Sequence, residues 1–341
     1  MLHNLWLIAS RMSRRSLSPQ LELEVSLAGN DVRGSRISRS SLEDGANPED
    51  HAALSKPLAQ MTYLSPSAHG GFTDVWKGIL NGCPVAIKVL RVYDTRRNFE
   101  RHKHIFQQEI VSWRQLSHPN LLPLLGVSDL GDGTLPALVS PWLENGNITQ
   151  FLRTTSSQIN RSQLMLDVAR GLSYLHGHNV VHGDLKSANI LIDSHHRACL
   201  ADFGLTKVLP CGHRGIDVTG GLGSARYQAP ELLLGDTQHA TQECDVYSFG
   251  VVCYEILSDM QPFSDLATNV DIVLAHYEKG KPFTNANKRL FECPAVDEAL
   301  WDLLSSCWDC FPSKRPKMNA VLCALAAIEE ESDLPLRQTR L

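Results

Sequence analysis

Apolar positions along this 341-residue chain fall into three textures. The first stretch, to about residue 57, has an apolar cluster at residues 1–9. It then turns to Ser, Arg, Gly and acidic residues, as in R-M-S-R-R-S-L-S and R-G-S-R-I-S-R-S-S-L-E-D-G. So few periodic apolar positions cannot fill a core, and residues 1–57 read as a mostly disordered tail. Order is expected from Leu58. Short apolar runs of strand length follow at Met61 to Ser65, Val85 to Leu90 and Ala137 to Leu143, interrupted by glycine, proline and polar residues. Helical spacing then takes over. Phe106, Ile110, Trp113 and Leu116 line one face within residues 98–116, and residues 148–152 form a short helix. Leu164, Val168, Leu172 and Leu175 do the same within residues 162–176. An apolar-rich helix runs from Asp245 to Leu257, and residues 318–330 form the last helix, before a short tail at 331–341.

Composition narrows the function classes. With 43% hydrophobic and 20% charged residues the chain can fill a sizeable core, and a net charge of −5 gives no bulk argument for nucleic-acid or membrane binding. No run approaches the roughly 18 apolar residues of a membrane span. Nine cysteines, an odd number without a regular framework, point to reduced thiols and an intracellular, cytoplasmic setting. The pair Cys307 and Cys310 lacks the further ligands that zinc would need. Residues 1–18 carry Arg11, Arg14 and Arg15 and no acid, which leaves an organelle-targeting or membrane-surface helix open beside an unstructured start.

The chemistry concentrates in His182-Gly183-Asp184-Leu185-Lys186-Ser187-Ala188-Asn189, a polar run between Val180-Val181 and Ile190-Leu191-Ile192. An aspartate, a lysine and an asparagine within six residues can supply a base, a phosphate contact and a metal ligand around one reacting centre. Eighteen residues after Asp184 comes Asp202-Phe203-Gly204. In form and spacing the two segments resemble the catalytic loop and metal-binding turn of the protein kinase family. The resemblance implies that Asp184 orients the substrate hydroxyl, Lys186 contacts the transferred phosphate, and Asn189 and Asp202 hold Mg²⁺. Gly183 departs from the pattern, which usually has Arg there to pair with an activation-segment phosphate.

Upstream, Ala68-His69-Gly70-Gly71-Phe72-Thr73-Asp74-Val75-Trp76-Lys77-Gly78 followed by V-A-I-K resembles the family's phosphate-covering hairpin, with Lys88 on the next strand. The usual three glycines fall at Ala68, Gly70 and Thr73, so only the middle one is kept, with Gly71 beside it. The outer substitutions stiffen the loop and bear on ATP affinity. Glu109, 21 residues beyond Lys88, is the expected partner of that lysine. Trp113, Leu124, His182 and Phe203 would form an apolar column. Ser140, Pro141 and Leu143 fall in the hinge that meets adenine, with Ser140 as a small gatekeeper. Val75, Ala86, Leu191 and the loop residues Ala68, Gly70, Gly71 and Thr73 complete the expected ATP contacts.

Residues 202–231 match the activation segment, ending G-S-A-R-Y-Q-A-P-E. Ser224 stands where serine/threonine kinases brace the catalytic Asp and Lys, and Thr219 is the candidate phosphorylation site. Asp245 would hold the catalytic-loop backbone, and Glu231 and Arg315 would form a buried ion pair. The motifs look like the tyrosine-kinase-like group, with a glycine loop similar to its fungal branch.

The implied fold is α+β and two-lobed. A small antiparallel β lobe with one regulatory helix (58–140) and a larger helical lobe (145–330) enclose ATP. The implied function is γ-phosphoryl transfer from Mg-ATP to Ser/Thr hydroxyls of protein substrates. An upstream kinase or adaptor is a further implied partner, and no nucleic acid or transmembrane segment is expected. Two other readings stay in view. A pseudokinase scaffold draws on the altered glycine loop and Gly183, and a dual-specificity or tyrosine kinase differs only in acceptor.

Overall fold

The computed structural model describes residues 25–27, 61–69, 73–90, 110–111, 113–128, 137–155, 159–203, 222–237, 239–264, 266, 271–272 and 298–332. The chain divides into two compact units, Met1–Tyr93 with Leu124–Trp142, and Asp94–Pro123 with Leu143–Leu341. Asp94–Pro123 therefore goes with the second unit, although it lies within 58–140.

The first unit is built on one sheet of β1 (Val25–Leu27), β2 (Met61–His69), β3 (Thr73–Leu80), β4 (Cys83–Leu90), β5 (Gly126–Ser128) and β6 (Ala137–Pro141), in the order β1-β5-β6-β4-β3-β2. Every pairing is antiparallel. Strand β1 falls inside the stretch read as a disordered tail, so that reading does not extend to these three residues. The hairpin of β3 and β4 turns through Asn81 and Gly82, with φ of 50° and 80°, and Leu80 pairs with Cys83. A two-residue hairpin needs positive φ at both central positions, and Asn-Gly supplies it at low cost. Strand β2 reaches further than the sequence suggested, pairing Ala68 with Val75 and His69 with Asp74. It is an edge strand with register shifts around Pro66, which is where a residue lacking an N–H is tolerated in a sheet.

Alternation divides the sheet faces. Leu80, Val85, Ile87, Ala137 and Val139 are buried in one cluster with Trp76, Val89 and Leu125 against it. Each large aliphatic side chain buried there contributes roughly 1.5–3 kcal/mol. Positions of the opposite parity form the other face. Val75 pairs with Lys88 and Lys88 with Leu138, while Lys77 pairs with Ala86 and Ala86 with Ser140.

The second unit is mainly helical, with α1 (Ile148–Thr154), α2 (Arg161–Gly177), α3 (Leu222–Ala225), α4 (Pro230–Leu233), α5 (Gln242–Ser258), α6 (Glu298–Cys307) and α7 (Met318–Ser332). Asn147 opens α1 in a capping box with Gln150, and Asn160 caps α2 by accepting from the Gln163 N–H. Thr241 caps α5, and Asp259 ends it in the left-handed region at φ 56°. All fourteen residues from Cys244 to Leu257 are buried, so α5 has no solvent face and runs through the core. Gly250 lets α6 approach, because a Cβ there would sit 3.0 Å from Cys307 Cβ and 3.1 Å from Trp308 Cε3.

A two-stranded ladder, β7 (Ile190–Ile192) and β8 (Ala198–Leu200), frames the polar loop that precedes it. Its turn is tied to α2 through Asp167, a fully buried carboxylate that accepts from Arg197 and from the Ala198 N–H at 3.1 Å. Asn120 joins on the other side, donating to the Ala198 carbonyl at 2.9 Å. Among the described residues no helix is long and apolar enough to cross a membrane.

Candidate active site

The loop from His182 to Asn189 is fixed at its start by Asp245, in the first turn of α5. The Asp245 carboxylate accepts from the His182 N–H at 2.7 Å and the Gly183 N–H at 2.8 Å, and lies 2.9 Å from His176 Nε2. A carboxylate in a first helical turn is also favoured by the helix dipole. Gly183 has φ +79°, a left-handed conformation that glycine adopts without the Cβ penalty of other residues. His182 is fully buried. Burial pushes its pKa below the ordinary value, against the opposing charges of Asp245, Asp184 and Asp202, so the ring is neutral at physiological pH. Its Nδ1 accepts a long bond from the Asp184 N–H at 3.4 Å.

The loop then closes into a 3₁₀ turn, Ser187–Asn189, and its polar groups converge. Lys186 Nζ donates to Asp184 Oδ2 at 2.6 Å and to Ser224 Oγ at 2.7 Å. Asn189 Nδ2 donates to the Asp184 carbonyl at 2.8 Å and to Asp184 Oδ2 at 3.1 Å. These bonds use one Asp184 carboxylate oxygen and two of the three ammonium hydrogens of Lys186, so among the described residues Oδ1 and one N–H have no partner and can face a substrate. Its nitrogen being engaged, Asn189 keeps Oδ1 without a hydrogen bond among the described residues, as the atom that could act as a ligand. The Ala201 N–H donates to the Asn189 carbonyl at 2.8 Å, which brings Asp202, at φ 62°, next to that asparagine. An amide oxygen and a carboxylate are hard oxygen donors that suit Mg²⁺. Phe203 packs edge-on to Trp113 at 5.2 Å and to His182 at 6.3 Å, so three of the four expected column residues meet; Leu124, also buried, belongs to the first unit.

The segment after Ser224 is anchored in turn. Arg226 is buried and donates to the carbonyls of Pro262, Phe263 and Leu266. Glu231 accepts from Arg315 at 2.6 and 2.8 Å and from the Cys244 thiol at 3.2 Å. Burial alone would raise the Glu231 carboxyl, but the bonds and charge of Arg315 outweigh it and hold it below the usual range.

In the first unit the register puts Val75, Ala86, Lys88 and Ser140 on one sheet face. Ser140 is buried, and the Trp142 N–H donates to the Pro84 carbonyl at 3.1 Å. Ala68 and Thr73 lie in strands, while Gly70, Gly71, Glu109 and Thr219 lie outside the described residues. Leu143 and Leu191 are half-buried residues of the second unit. Cys307 is fully buried with its thiol pushed up to about 12 by that burial, whereas Cys310 is exposed.

Three supports escaped the sequence reading: His176, Ser187 and Glu255. Glu255 carried a signal, being the one charged residue within the apolar run from Val246 to Leu257. A carboxylate inside a fully buried helix has to find partners.

A family model described as protein tyrosine and serine/threonine kinase matches residues 62–325. The chain belongs to the eukaryotic protein kinase family, in its tyrosine-kinase-like group. It is 30% identical over 289 residues to the serine/threonine/tyrosine-protein kinase HT1 of Arabidopsis thaliana, covering 82% of this chain and 70% of that one. It is 29% identical over 283 residues to the dual specificity protein kinase splA of Dictyostelium discoideum, covering 77% of this chain and 11% of that one. With chitin elicitor receptor kinase 1 of Arabidopsis thaliana it shares 39% identity over 225 residues, 64% of this chain and 32% of the relative. The chain thus spans only a minor part of two of these three relatives.

Proposed function

We propose that the chain catalyses transfer of the γ-phosphoryl group of ATP to serine and threonine hydroxyls of proteins. One observation carries the reading: Lys186 Nζ bridges the Asp184 carboxylate and the Ser224 hydroxyl. A scaffold that had lost catalysis would have no need to hold these three groups together, so the pseudokinase alternative is not favoured. Asp184 Oδ1 accepts the proton of the acceptor hydroxyl and aims its oxygen at the γ-phosphorus. The free N–H of Lys186 follows the transferred group. Lys88 contacts the nucleotide phosphates and the backbone at Pro141 meets adenine, while Glu109 and Leu143 keep the roles that the family resemblance implies. Asn189 and Asp202 would hold Mg²⁺, which supplies charge neutralisation on the phosphates. Most of the rate comes from positioning and preorganised charge.

Ser224 favours serine and threonine acceptors. The printed names of splA and HT1 support a second reading that includes tyrosine. The free cysteines favour a reducing intracellular setting, and an upstream kinase or adaptor is the partner that the family resemblance implies. Autophosphorylation with site mapping and phosphoamino-acid analysis tests the proposal. Asp184→Asn and Lys88→Ala should each lower transfer by roughly 10²-fold or more. Wild-type rates in Asp184→Asn would refute it, and phosphotyrosine would select the second reading.

A further inference from the structure

Arg226 is charged and buried, at 6% exposure, in the turn that follows Ser224. Among the described residues no carboxylate pairs with it, and its guanidinium lies among backbone carbonyls instead. Nη1 donates to the carbonyls of Pro262, at 2.9 Å, and Phe263, and Nη2 donates to that of Leu266 at 3.1 Å. Its Nε is buried with no hydrogen-bond partner among the described residues. A desolvated cation without a counter-charge, with one donor left bare, makes a poor stabilising device. The rigid planar fork suits another task, which is to hold one backbone segment at a fixed place against a second.

The carbonyls that receive it are set by an unusual turn. Phe263 stands at φ 51°, in the left-handed region that a bulky side chain seldom adopts. The Leu266 N–H closes the turn by donating to the Phe263 carbonyl at 3.0 Å. Phe263 is buried in one cluster with Leu233 and Ile272, and Ala225 and Leu266 pack on the same cluster. The residue before Arg226 and the end of the turn therefore share one apolar footing. A costly backbone conformation persists only where its surroundings fix it, and such conformations gather at functional sites. Here the turn aims three carbonyls at one cation.

Arg226 is two residues from Ser224, whose hydroxyl receives Lys186 Nζ at 2.7 Å. The Tyr227 N–H donates to the Ser224 carbonyl at 3.1 Å and the Gln228 N–H to the Ala225 carbonyl at 3.4 Å, so residues 224–228 move together. We propose that Arg226 is a positioning residue for the protein acceptor: its guanidinium, seated among the carbonyls of Pro262, Phe263 and Leu266, sets where residues 224–228 stand beside Asp184, and it needs no phosphate to do so. Gly183 brings no cation to this segment, and Arg226 anchors it through neutral acceptors. The inference rests on the kinase reading of the same site and adds a residue that touches neither nucleotide nor acceptor hydroxyl.

Arg226→Gln and Arg226→Lys in the full chain test it, with dephosphorylated casein as the acceptor. Gln keeps a donor but neither the charge nor the reach, whereas Lys keeps the charge. Arg226→Gln should raise KM for casein about tenfold while KM for ATP stays within about twofold. Arg226→Lys should recover most of that loss, and it remains informative if Arg226→Gln fails to fold. Phosphatase treatment of the wild type should leave KM for casein unchanged. Hydrogen exchange gives a readout independent of catalysis: the Tyr227 and Leu266 amides, bonded to the Ser224 and Phe263 carbonyls, should exchange faster in Arg226→Gln. An unchanged KM for casein at equal folded fraction, a KM for ATP that rises in step with it, or a Lys variant as impaired as the Gln variant would each overturn the inference. Unchanged exchange, or a phosphatase-treated wild type that behaves like Arg226→Gln, would do the same. A wild type that transfers phosphate neither to itself nor to casein would refute the kinase reading instead, and exchange at these two amides would still decide whether Arg226 fixes the segment.

Discussion

Replacing Arg315 by alanine should cost about 3–5 kcal/mol of stability, because it leaves the buried Glu231 carboxylate without its cation. The Arg315 side chain is fully buried and that of Glu231 is 7% exposed, so water cannot replace what is lost. Two bonds to Glu231 disappear, together with those to the carbonyls of Asp309 at 2.8 Å and Glu243 at 2.9 Å. The stacking of the guanidinium over the Tyr247 ring, 5.1 Å from its centroid, goes as well. Urea unfolding at several pH values gives a sharper test than one midpoint. In the wild type, Glu231 is held below its unfolded pKa, so its contribution is present above about 4.5 and is lost as pH falls through the folded value. In Arg315→Ala burial, the largest cause, is opposed only by a backbone bond and the Cys244 thiol, and the folded pKa should rise above the unfolded one. Protonation then favours the folded variant, so its deficit should shrink from pH 7.5 to pH 5. Pairing Arg315→Met with Glu231→Leu should recover much of the loss, since an apolar pair carries no desolvated charge. A deficit under about 1 kcal/mol, or one that grows on acidification, would refute the reasoning.

Three further perturbations have defined outcomes. Gly183→Arg puts a side chain at φ +79° and should lower stability by about 1–2 kcal/mol in urea unfolding. Gly171→Ala would place a Cβ 2.7 Å from the Asn120 carbonyl and 3.1 Å from Leu200 Cδ1, and should cost about 1–3 kcal/mol by the same measurement. Neutral His182 should make the fold acid-sensitive: its folded pKa is depressed, so the unfolded state binds more protons below about 6.5. Stability should be complete above that pH and fall below it, by up to about 1.4 kcal/mol per pH unit for this one group. A His182→Phe variant should show a shallower slope.

Residues out of keeping with their surroundings were the legible ones. Asp184, Lys186 and Asn189 form a polar island between apolar runs, and the structure brings them together with Ser224. Glu231 and Arg315 are 84 residues apart, yet each stands in a recognisable motif, and they pair. The face carrying Val75, Ala86, Lys88 and Ser140 follows from strand alternation once register is known, and register is a tertiary fact. Asn81-Gly82 was a local signal for that register, because a two-residue turn fixes which residues oppose each other. The roles of Asp167 and Glu255 could not be assigned from the sequence. A helix pattern marks both as misplaced charges, but their partners, Arg197 and the hydroxyls of Thr149, Ser187 and Tyr227, arrive from distant segments.

The two carboxylates that anchor the polar loop, Asp245 and Glu255, both belong to α5. They lie ten residues apart, about 15 Å along the helix axis. One holds the start of the loop by its backbone at His182 and Gly183, and the other holds Ser187 near its end. A loop fastened at two points to a fully buried helix has its geometry set by the core of the unit. Gly183 fits this arrangement, since it offers Asp245 an N–H in a left-handed conformation and brings no cation to receive a phosphate. Phosphate on residues 202–231, where the family resemblance puts the activation segment, is therefore expected to do little positioning at this loop. Phosphatase treatment of the purified chain should leave most of its kinase activity in place. A large loss, reversed when Thr219 alone is rephosphorylated, would mean that the segment and not α5 controls the loop.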